Sequence, residues 1–334
     1  MSNPPPFTIT PTIIHQIARI GEQLGQYSSK TQDMQNVRLR RIHRIRTIHG
    51  SLAIEGNTLS EEQITAILEG KPVIAPPREI QEARNAIEVY EQLGQWHPSK
   101  SEHLLSAHQL LMKGLIEDAG QYRTGNVGVM NGEQVIHMAP QADRVRKLME
   151  QLLSWLDTTE QHALISSSVF HYEFEFIHPF ADGNGRMGRL WQSLILSRWN
   201  PLFAHFPIES MIHTHQNAYY QAINQSTQQT DSAPFIEFML QMVLDTLSGT
   251  TPQEKPQVTP QVKKLLESLQ GEMSRDELQL VLQLKDRKSF RARYLLPALE
   301  EGWIEMTIPD KPNSRLQQYK LTPSGKSLKQ QLAF

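Results

Sequence analysis

The side chains that could do chemistry are concentrated between His178 and Arg189, a segment that reads His-Pro-Phe-Ala-Asp-Gly-Asn-Gly-Arg-Met-Gly-Arg. The imidazole of His178 ordinarily titrates near neutral pH, so it is a candidate general base for removing a proton from a hydroxyl. Asp182 offers hard oxygen ligands, and Mg²⁺ typically binds one or two carboxylates together with phosphate and water oxygens. The segment therefore predicts a site that handles a phosphate chain.

The small residues of this segment predict an anion-binding loop. Glycine permits a positive φ and leaves the backbone open to a ligand, and successive amides in such a turn can converge on an anion. The helix that follows adds its unpaired N-terminal amides at the same place. Arg186 and Arg189 are three residues apart, so they project from one face of that helix. Their charges conflict with the positive end of the helix dipole, and a bound polyphosphate would resolve the conflict.

Two helices must position the loop. Residues 163–176 and 186–199 both carry apolar residues at helical spacing, and we expect both helices to be largely buried. Pro179 ends the first helix, because the residue before a proline is pushed out of the helical region. The alternative is an ordinary glycine turn beside a core histidine, but the complete set of residues favours a functional site.

The segment matches the signature His-Pro-Phe-x-Asp/Glu-Gly-Asn-Gly-Arg-x-x-Arg at every specified position, so the chain resembles the Fic family. The resemblance implies an all-helical core that transfers AMP from ATP to a side-chain hydroxyl of a protein. It makes His178 the base and Asp182 the Mg²⁺ ligand, with positioning and charge neutralisation supplying most of the catalysis. The nucleotide-binding residues that it implies are Gly183, Asn184, Gly185, Arg186, Met187, Gly188, Arg189 and Tyr220.

A second motif ends a predicted helix over residues 35–54 and reads Ser51-Leu-Ala-Ile-Glu55-Gly56-Asn57. Gly56 is a good helix C-cap, whereas a carboxylate at this end is disfavoured by roughly 0.3–1 kcal/mol. Glu55 is therefore either an exposed residue that tolerates this penalty or one with a cationic partner elsewhere. Ser-x-x-x-Glu-Gly-Asn resembles the inhibitory motif of Fic proteins. That resemblance implies that Glu55, in a motif with Ser51, pairs with Arg189 and blocks the γ-phosphate position.

Residues 125–140 interrupt the helical pattern and predict a small β-hairpin. Val127 and Val129 alternate with smaller residues, and Asn131-Gly132 is a strong signal for a two-residue turn. A plain surface hairpin is one interpretation. The family resemblance implies a flap that pairs its edge with an extended target segment. The target-docking residues would then be Val135, Ile136 and His137.

Two pairs of ring side chains follow the signature. His213 and His215 have no other evident metal ligands near them, so we interpret both as structural. The Tyr219-Tyr220 pair resembles the Fic core, where an aromatic residue lines the nucleotide pocket. We assign that position to Tyr220. The segment 226–230 departs from some relatives, and this leaves the adenine and ribose contacts open.

Residues 248–259 are rich in threonine, proline and glutamine and predict a linker. Beyond them, helices are predicted over residues 262–269, about 275–282 and 289–301, and the capping pattern Ser274-Arg-Asp-Glu277 starts the second of them. Two alternating strands, residues 303–308 and 318–321, complete the order of a winged helix. The basic residues at the start of the third helix are Lys285, Arg287, Lys288, Arg291 and Arg293, where a recognition helix would contact DNA. From residue 260 onward the charge is 13 basic against 9 acidic residues. DNA binding and protein binding are therefore both open.

The predicted fold class is mainly α: a Fic-like helical core with a small β-hairpin flap, followed by a winged-helix (α+β) C-terminal domain. The predicted domains are a helical region 1–100 with an inhibitory helix over about 35–57, a core 101–247, a linker 248–259 and a winged-helix-like domain 260–334. Further helices are predicted over residues 13–27, 78–93, 101–117, 145–156 and 217–225, and a capping box at Ser60 and Gln63 starts another.

Composition narrows the class of protein. The chain has 334 residues, a formal charge of −2 and no cysteine, which excludes disulfides, thiol catalysis and thiolate metal sites. The near-neutral charge argues against a broadly basic nucleic-acid binder. No apolar run is long enough for a membrane span, and residues 1–6 do not read as a signal peptide. We expect a cytoplasmic protein.

The leading hypothesis is a protein adenylyltransferase restrained by Glu55, with ATP as co-substrate and Mg²⁺ as the ion. Its partner would be a protein with an accessible serine, threonine or tyrosine hydroxyl, the chain itself included. One alternative uses the same site to remove AMP, with Glu55 orienting water. Another is a DNA-binding regulator whose core only senses nucleotide. The sequence leaves open whether the chain forms a homodimer.

Overall fold

The computed structural model describes residues 4–29, 37–131, 134–250, 259–284, 286–300, 302–308, 314 and 316–332. Contacts divide the chain into two units, Met1–Thr251 and Pro252–Phe334. Among the described residues, the first unit is helical apart from one β-hairpin, and the second combines helices with a three-stranded sheet. The predicted mainly α fold class is confirmed. Within the same ranges, no helix has both the length and the apolar character needed to cross a membrane.

Four helices begin the first unit: α1 (Pro11–Ser29), α2 (Val37–Ile54), α3 (Glu61–Leu68) and α4 (Pro77–Glu91). The predicted start of α2 at residue 35 lies outside the described residues. At the start of α3, the predicted capping box is confirmed, because the hydroxyl of Ser60 accepts from the Gln63 amide and the Gln63 side chain accepts from the Ser60 amide. Arginines of α2 pair with carboxylates at the surface, as in Arg41–Glu69, whose side chains are partly exposed.

The remaining helices of this unit are α5 (Ser101–Leu111), α6 (Ala142–Thr158), α7 (Ala163–Ile177), α8 (Asn184–Trp199), α9 (Ile208–Thr214), α10 (Gln216–Gln229) and α11 (Ala233–Thr250). The antiparallel neighbours α7 and α8 lie at the centre, and both are buried along most of their length. One apolar cluster joins them to α5 and α6, and another joins them to α1, α9, α10 and α11. The expectation of two buried helices around the signature is confirmed.

Close packing fixes the position of α2 against α9. A side chain at Gly50 would bring its Cβ to 2.5 Å from the Ser210 backbone nitrogen, a distance that real Cβ atoms essentially never show. The Ser210 hydroxyl donates to the Arg46 carbonyl at 2.7 Å across the same contact. This close approach sets the C-terminal end of α2, and with it Glu55, relative to the central helices.

The predicted hairpin is present as β1 (Gly128–Asn131) and β2 (Gln134–Met138), which pair antiparallel with an irregularity after Val129. Asn131 pairs with Gln134, so the prediction that Asn131 occupies the turn is wrong by one residue. The strand pairing, rather than the local preference of the Asn-Gly dipeptide, decides where the strands end. The other residue of that dipeptide, Gly132, lies outside the described residues.

The second unit contains α12 (Pro260–Ser268), β3 (Met273–Ser274), α13 (Arg275–Val281), α14 (Arg287–Phe290), a π-helical turn (Arg291–Leu295), α15 (Leu296–Glu300), β4 (Ile304–Met306), β5 (Gln318–Leu321) and α16 (Pro323–Leu332). The strand order is β3-β5-β4, and all pairs are antiparallel. The two predicted strands and the capping box at Ser274 are confirmed. The short strand β3 and helix α16 were not predicted, and the winged-helix assignment stays a prediction.

Two predicted helix ends differ from the structure. The helix predicted over 101–117 ends at Leu111, and Gly114 then takes a φ of +73° that ordinary helical residues do not adopt. In the second unit, the helix predicted over 289–301 begins earlier and contains the π-helical turn. Most of the predicted linker, residues 251–258, lies outside the described residues, and the predicted domain boundaries stay predictions.

Candidate active site

His178 lies in a sharp turn at the C-terminal end of α7. Its amide still donates to the Phe174 carbonyl at 2.9 Å, but its own backbone is left-handed, with φ 50° and ψ 62°. Pro179 cannot continue the helix, so the chain turns here and the imidazole stays partly exposed. The left-handed conformation is uncommon for a residue other than glycine, and such strain is found where the surrounding structure enforces it.

Arg123 enforces this turn and was not predicted. Its buried guanidinium donates to the carbonyl of His178 at 2.8 Å, to that of Gly125 at 2.8 Å and to that of Pro140 at 2.5 Å. Its backbone amide donates to the Pro179 carbonyl. One side chain thereby ties the histidine turn to both ends of the hairpin segment. The sequence signal was slight: an arginine just ahead of a predicted hairpin.

The loop after His178 is built around Asn184 and His108. The Asn184 side chain both accepts from the Phe180 amide and donates to the Phe180 carbonyl, each at 2.9 Å. His108 accepts from the Gly120 amide at Nδ1, so its Nε2–H donates to the Asp182 carbonyl at 3.0 Å. Burial lowers the pKa of His108 to about 4, so the ring stays neutral while it holds the loop.

Gly183 is required by this loop. Its φ is +82°, and an added Cβ would meet the Met112 sulfur at 2.6 Å. Its amide donates to the Asp182 carboxylate at 2.6 Å. In this state, therefore, one of the amides predicted to bind an anion is already engaged by the side chain beside it.

Arg189 is almost completely buried and pairs with Glu55. Its Nη2 lies 2.7 Å from Glu55 Oε1 and donates to the Ser51 carbonyl at 3.0 Å. Burial alone would lower the pKa of Arg189, but the Glu55 carboxylate together with Tyr219 and Glu175 more than offsets this, so the pKa is raised. The family resemblance implied a cationic partner for Glu55, and Arg189 is that partner. The two residues are 134 positions apart in the sequence.

The Glu55 carboxylate lies against Gly185 of the glycine loop. A Cβ built on Gly185 would collide with Glu55 Oε1 and would come within 3.0 Å of Arg189 Nη1. Glycine at this position therefore leaves the room that the carboxylate occupies. The Glu55 carboxylate thus contacts both the glycine loop and Arg189.

Arg186 also has carboxylate partners, and these were not predicted. Its guanidinium lies 3.4 Å from Glu82 of α4 and 3.4 Å from Asp182. Its Nε is buried and has no hydrogen-bond acceptor among the described residues. Arg78 of α4 lies 3.2 Å from the other oxygen of Asp182. Glu82 and the buried Asn85 interrupt the apolar face of α4. Such an interruption is the sequence signal that could have indicated a polar partner for the site.

Glu175 lies one turn before His178, with one oxygen 3.9 Å from His178 Nδ1 and the other 3.8 Å from His171 Nε2. Burial raises the pKa of Glu175 to about 8, an effect that Arg189 reduces and Glu55 increases. His171 is itself neutral, because burial lowers its pKa to about 3. The neighbourhood of His178 therefore holds a carboxyl group that is protonated at neutral pH.

The two tyrosines of the predicted aromatic pair differ in environment. Tyr219 is buried, and its hydroxyl lies 3.0 Å from Nε2 of His171, whose Nδ1 contacts the side-chain oxygen Oε1 of Gln192. Tyr220 is only half-buried. Burial raises the pKa of its phenol, the charge of Glu55 adds to this increase, and a hydrogen bond with Gln216 partly opposes it. Tyr220 thus keeps an accessible surface, and its assignment to the nucleotide pocket stays a prediction.

The remaining predicted residues are placed as follows. Met187 and Gly188 are buried in the first turns of α8, and a Cβ on Gly188 would meet His171 and Glu175. Val135, Ile136 and His137 lie in β2, which runs beside α10, and their side chains are outside what the structure describes. His213 contacts His49 edge to face, in agreement with a structural role.

The residues present fit a magnesium ion that arrives with phosphate. Among the described residues, no group of three or more metal-binding side chains comes together. Asp182 is a single carboxylate with 42% of its side chain exposed. Magnesium is commonly bound by one or two carboxylates and completes its shell with phosphate and water. Asp182 therefore suits an ion that a nucleotide carries into the site.

Two family models match the chain: the Fic/DOC family over residues 98–196, and the Filamentation induced by cAMP protein Fic-like, C-terminal domain, over residues 260–322. The crystal structure of a Fic family protein from Desulfovibrio desulfuricans G20 is 51% identical and has a TM-score of 0.74. That match covers 96% of this chain and 99% of the other. The chain belongs to the Fic family.

Two relatives carry the name protein adenylyltransferase Fic. The one from Nematostella vectensis is 30% identical over 214 residues, covering 60% of this chain and 47% of that protein. The one from Aedes aegypti is 27% identical over 221 residues, covering 61% of this chain and 41% of that protein. The chain thus spans about half the length of these relatives or less. Fic-1 from C. elegans, 22% identical with a TM-score of 0.55 over 71% of this chain and 70% of that one, shares the fold.

Proposed function

We propose that this chain transfers AMP from ATP to a serine, threonine or tyrosine hydroxyl of a protein. The observation that carries the proposal is the arrangement of His178, the glycine loop and two buried arginines within one helix–loop–helix. His178 would take the proton of the attacking hydroxyl, and Arg186 and Arg189 would hold the charge of the departing phosphates. Relatives named as adenylyltransferases support this activity.

Mg²⁺ bound at Asp182 would add positive charge beside the phosphates when the nucleotide is present. Glu55 would restrain the reaction, because its carboxylate occupies Arg189 and the space over Gly185. A donor phosphate and Glu55 cannot both take this position. Removing Glu55 should therefore increase transfer.

The test compares the intact chain with His178→Ala and Glu55→Gly, using ATP labelled in the α-phosphate and mass spectrometry of the labelled protein. We expect Glu55→Gly to increase label transfer and His178→Ala to abolish it in either background. His15→Ala, an exposed histidine on α1, is the matched control. Transfer that survives the loss of His178 would contradict the proposed base, and an unchanged rate in Glu55→Gly would contradict the restraint.

Removal of AMP is a second candidate, and the position of Glu55 favours it. A carboxylate that contacts the loop could orient water toward a modified side chain. Incubation of an AMP-modified protein with the intact chain and with Glu55→Gln separates the two activities. Removal that depends on Glu55 supports this candidate, and removal that proceeds equally without it argues against it.

The second unit is a candidate DNA-binding module, because Arg291 and Arg293 are exposed on its third helical segment. Lys285 lies outside the described residues, and for Lys288 only the backbone is described. Binding to duplex DNA that weakens steeply with salt, and whose salt slope falls by about 1 when either arginine is replaced by alanine, would support this role. Absence of binding at low salt would exclude it.

A further inference from the structure

Arg186 and Arg189 are held in similar ways by carboxylates of the N-terminal helices. Their side chains are 5% and 1% exposed, and their partners come from α4 and from the end of α2. A buried guanidinium needs an anionic partner, because leaving such a charge unpaired is strongly destabilising. A donor phosphate that takes the place of either carboxylate would keep the guanidinium paired, so exchange with the carboxylate is a route by which a donor can reach each arginine.

The contacts of Arg186 are suited to such an exchange. Its distances to Glu82 and Asp182 are both 3.4 Å, longer than the 2.7–2.9 Å typical of charge-assisted hydrogen bonds. Its Nε is buried without an acceptor among the described residues, so a donor oxygen could provide an interaction that is now missing. The Arg189–Glu55 contact, at 2.7 Å, is tighter.

Glu82 also joins the two arginines through Asn57. One Glu82 oxygen contacts Arg186, and the other accepts from the Asn57 side chain at 3.0 Å. Asn57 follows Glu55 by two residues, and its amide donates to the Leu52 carbonyl in the turn that ends α2. Glu82 thus holds both Arg186 and the turn that carries Glu55.

We propose that Glu82 is a second carboxylate of the donor site, which competes with a donor phosphate for Arg186 as Glu55 competes for Arg189. The hydrogen bond between Glu82 and Asn57 couples the release of Arg186 by Glu82 to the release of Arg189 by Glu55. This inference rests on the proposed function and extends it to a residue of α4. The surrounding charges agree with competition. The formal charges of Arg78, Arg186 and Arg189 are balanced by Glu55, Asp182 and Glu82, so a polyphosphate adds excess negative charge unless a carboxylate withdraws.

The test measures ATP binding by calorimetry in the His178→Ala background, where no turnover is expected. Glu82→Gln keeps the shape of the side chain and removes its charge. We expect ATP to bind about fivefold more tightly than to the His178→Ala parent. The combination of Glu82→Gln with Glu55→Gly should bind more tightly than either alone but by less than the product of the single effects, because part of the Glu82 effect acts through Glu55.

Glu88→Gln is the matched control, since Glu88 is an exposed carboxylate on the same helix, and it should leave ATP affinity unchanged. Unchanged or weaker binding in Glu82→Gln would overturn competition, and so would equal tightening in Glu88→Gln. Strict multiplication of the two single effects would overturn the coupling through Asn57. Failure of every variant to bind ATP, Glu55→Gly included, would count against the proposed function itself. If Glu82→Gln lowers the melting temperature markedly, Glu82→Asp is the second variant. Its side chain is one methylene shorter, so the carboxylate lies farther from Arg186, and ATP should still bind more tightly than to the parent.

Discussion

The arginines paired in the active site are much more buried than those in the ion pairs described for the C-terminal unit. Arg189 is 1% exposed and contacts a carboxylate 134 positions away. In the second unit, the ion pair of Arg287 and Asp276 has side chains 75% and 77% exposed. Buried charges require fixed partners, whereas exposed pairs contribute little and can exchange with solvent or with a binding partner. The active site therefore uses buried charge to hold its side chains in place, whereas the ion pair of Arg287 and Asp276 keeps its charges at the surface of the second unit.

The largest expected effect tests this contrast at Arg189. Arg189→Ala should lower label transfer by at least about hundredfold, because it removes a buried donor that would hold the departing phosphates in the proposed function. It should also destabilise the chain by about 2 kcal/mol, less than for a fully buried pair because Glu55 stays partly hydrated. Arg287→Ala should change stability by less than about 0.5 kcal/mol. Equal thermal shifts for the two variants would contradict the contrast.

The second prediction concerns the packing that presents Glu55. Gly50→Ala places a Cβ 2.5 Å from the Ser210 nitrogen, so α2 must move away from α9, at a destabilisation of about 1–3 kcal/mol. The same movement should weaken the Glu55–Arg189 contact and increase label transfer. Gly21→Ala on α1 is the control, because an added Cβ there meets nothing within 4 Å and alanine favours the helix. A destabilised Gly50→Ala variant with unchanged transfer would show that Glu55 is held independently of this contact.

The sequence predicted the parts of the site that are encoded locally. His178, the glycine loop and the two arginines lie in one continuous segment, and Pro179 and the glycines mark its turns. Glu55 was identifiable because a carboxylate at the end of a helix is out of place. The helix caps at Ser60 and Ser274 could also be predicted, because their hydrogen bonds join residues only three positions apart.

The partners that depend on tertiary contact were missed. Arg123 binds the His178 carbonyl from 55 positions away, His108 binds Asp182 from 74 positions away, and Glu82 reaches Arg186 from another helix. Each is a single polar residue in an ordinary local pattern. Nothing in helical periodicity specifies which buried polar group meets which, so such pairs become visible only once the helices are packed.

The third prediction uses the raised pKa of Glu175, about 8 against an ordinary value of 4.5. Between these pH values the folded chain holds a proton that the unfolded chain releases, so this group's contribution to stability falls as pH rises through the window. Glu175→Gln removes the titration. Its stability relative to the intact chain should therefore increase from pH 5 to pH 8.5, by about 1–3 kcal/mol.

Thermal unfolding of both proteins across this range measures the difference. Glu150→Gln, an exposed carboxylate on α6, should show no such trend. A constant difference between Glu175→Gln and the intact chain at all pH values would mean that Glu175 is already ionised in the fold.

The smallest expected effect concerns Glu277 in the second unit, whose pKa is lowered where that of Glu175 is raised. The carboxylate of Glu277 accepts from the amide and from the hydroxyl of Ser274, and these bonds lower its pKa. A lowered pKa means that the stabilisation is present above the ordinary value and is lost as pH falls through the folded-state value. Gln63 fills the same capping position in α3 as an uncharged amide, so Glu277→Gln isolates the charge. The variant should melt slightly below the intact chain at pH 7 and together with it near pH 3. A difference that persists in acid would assign the effect to geometry and would weaken the contrast between buried and exposed charge.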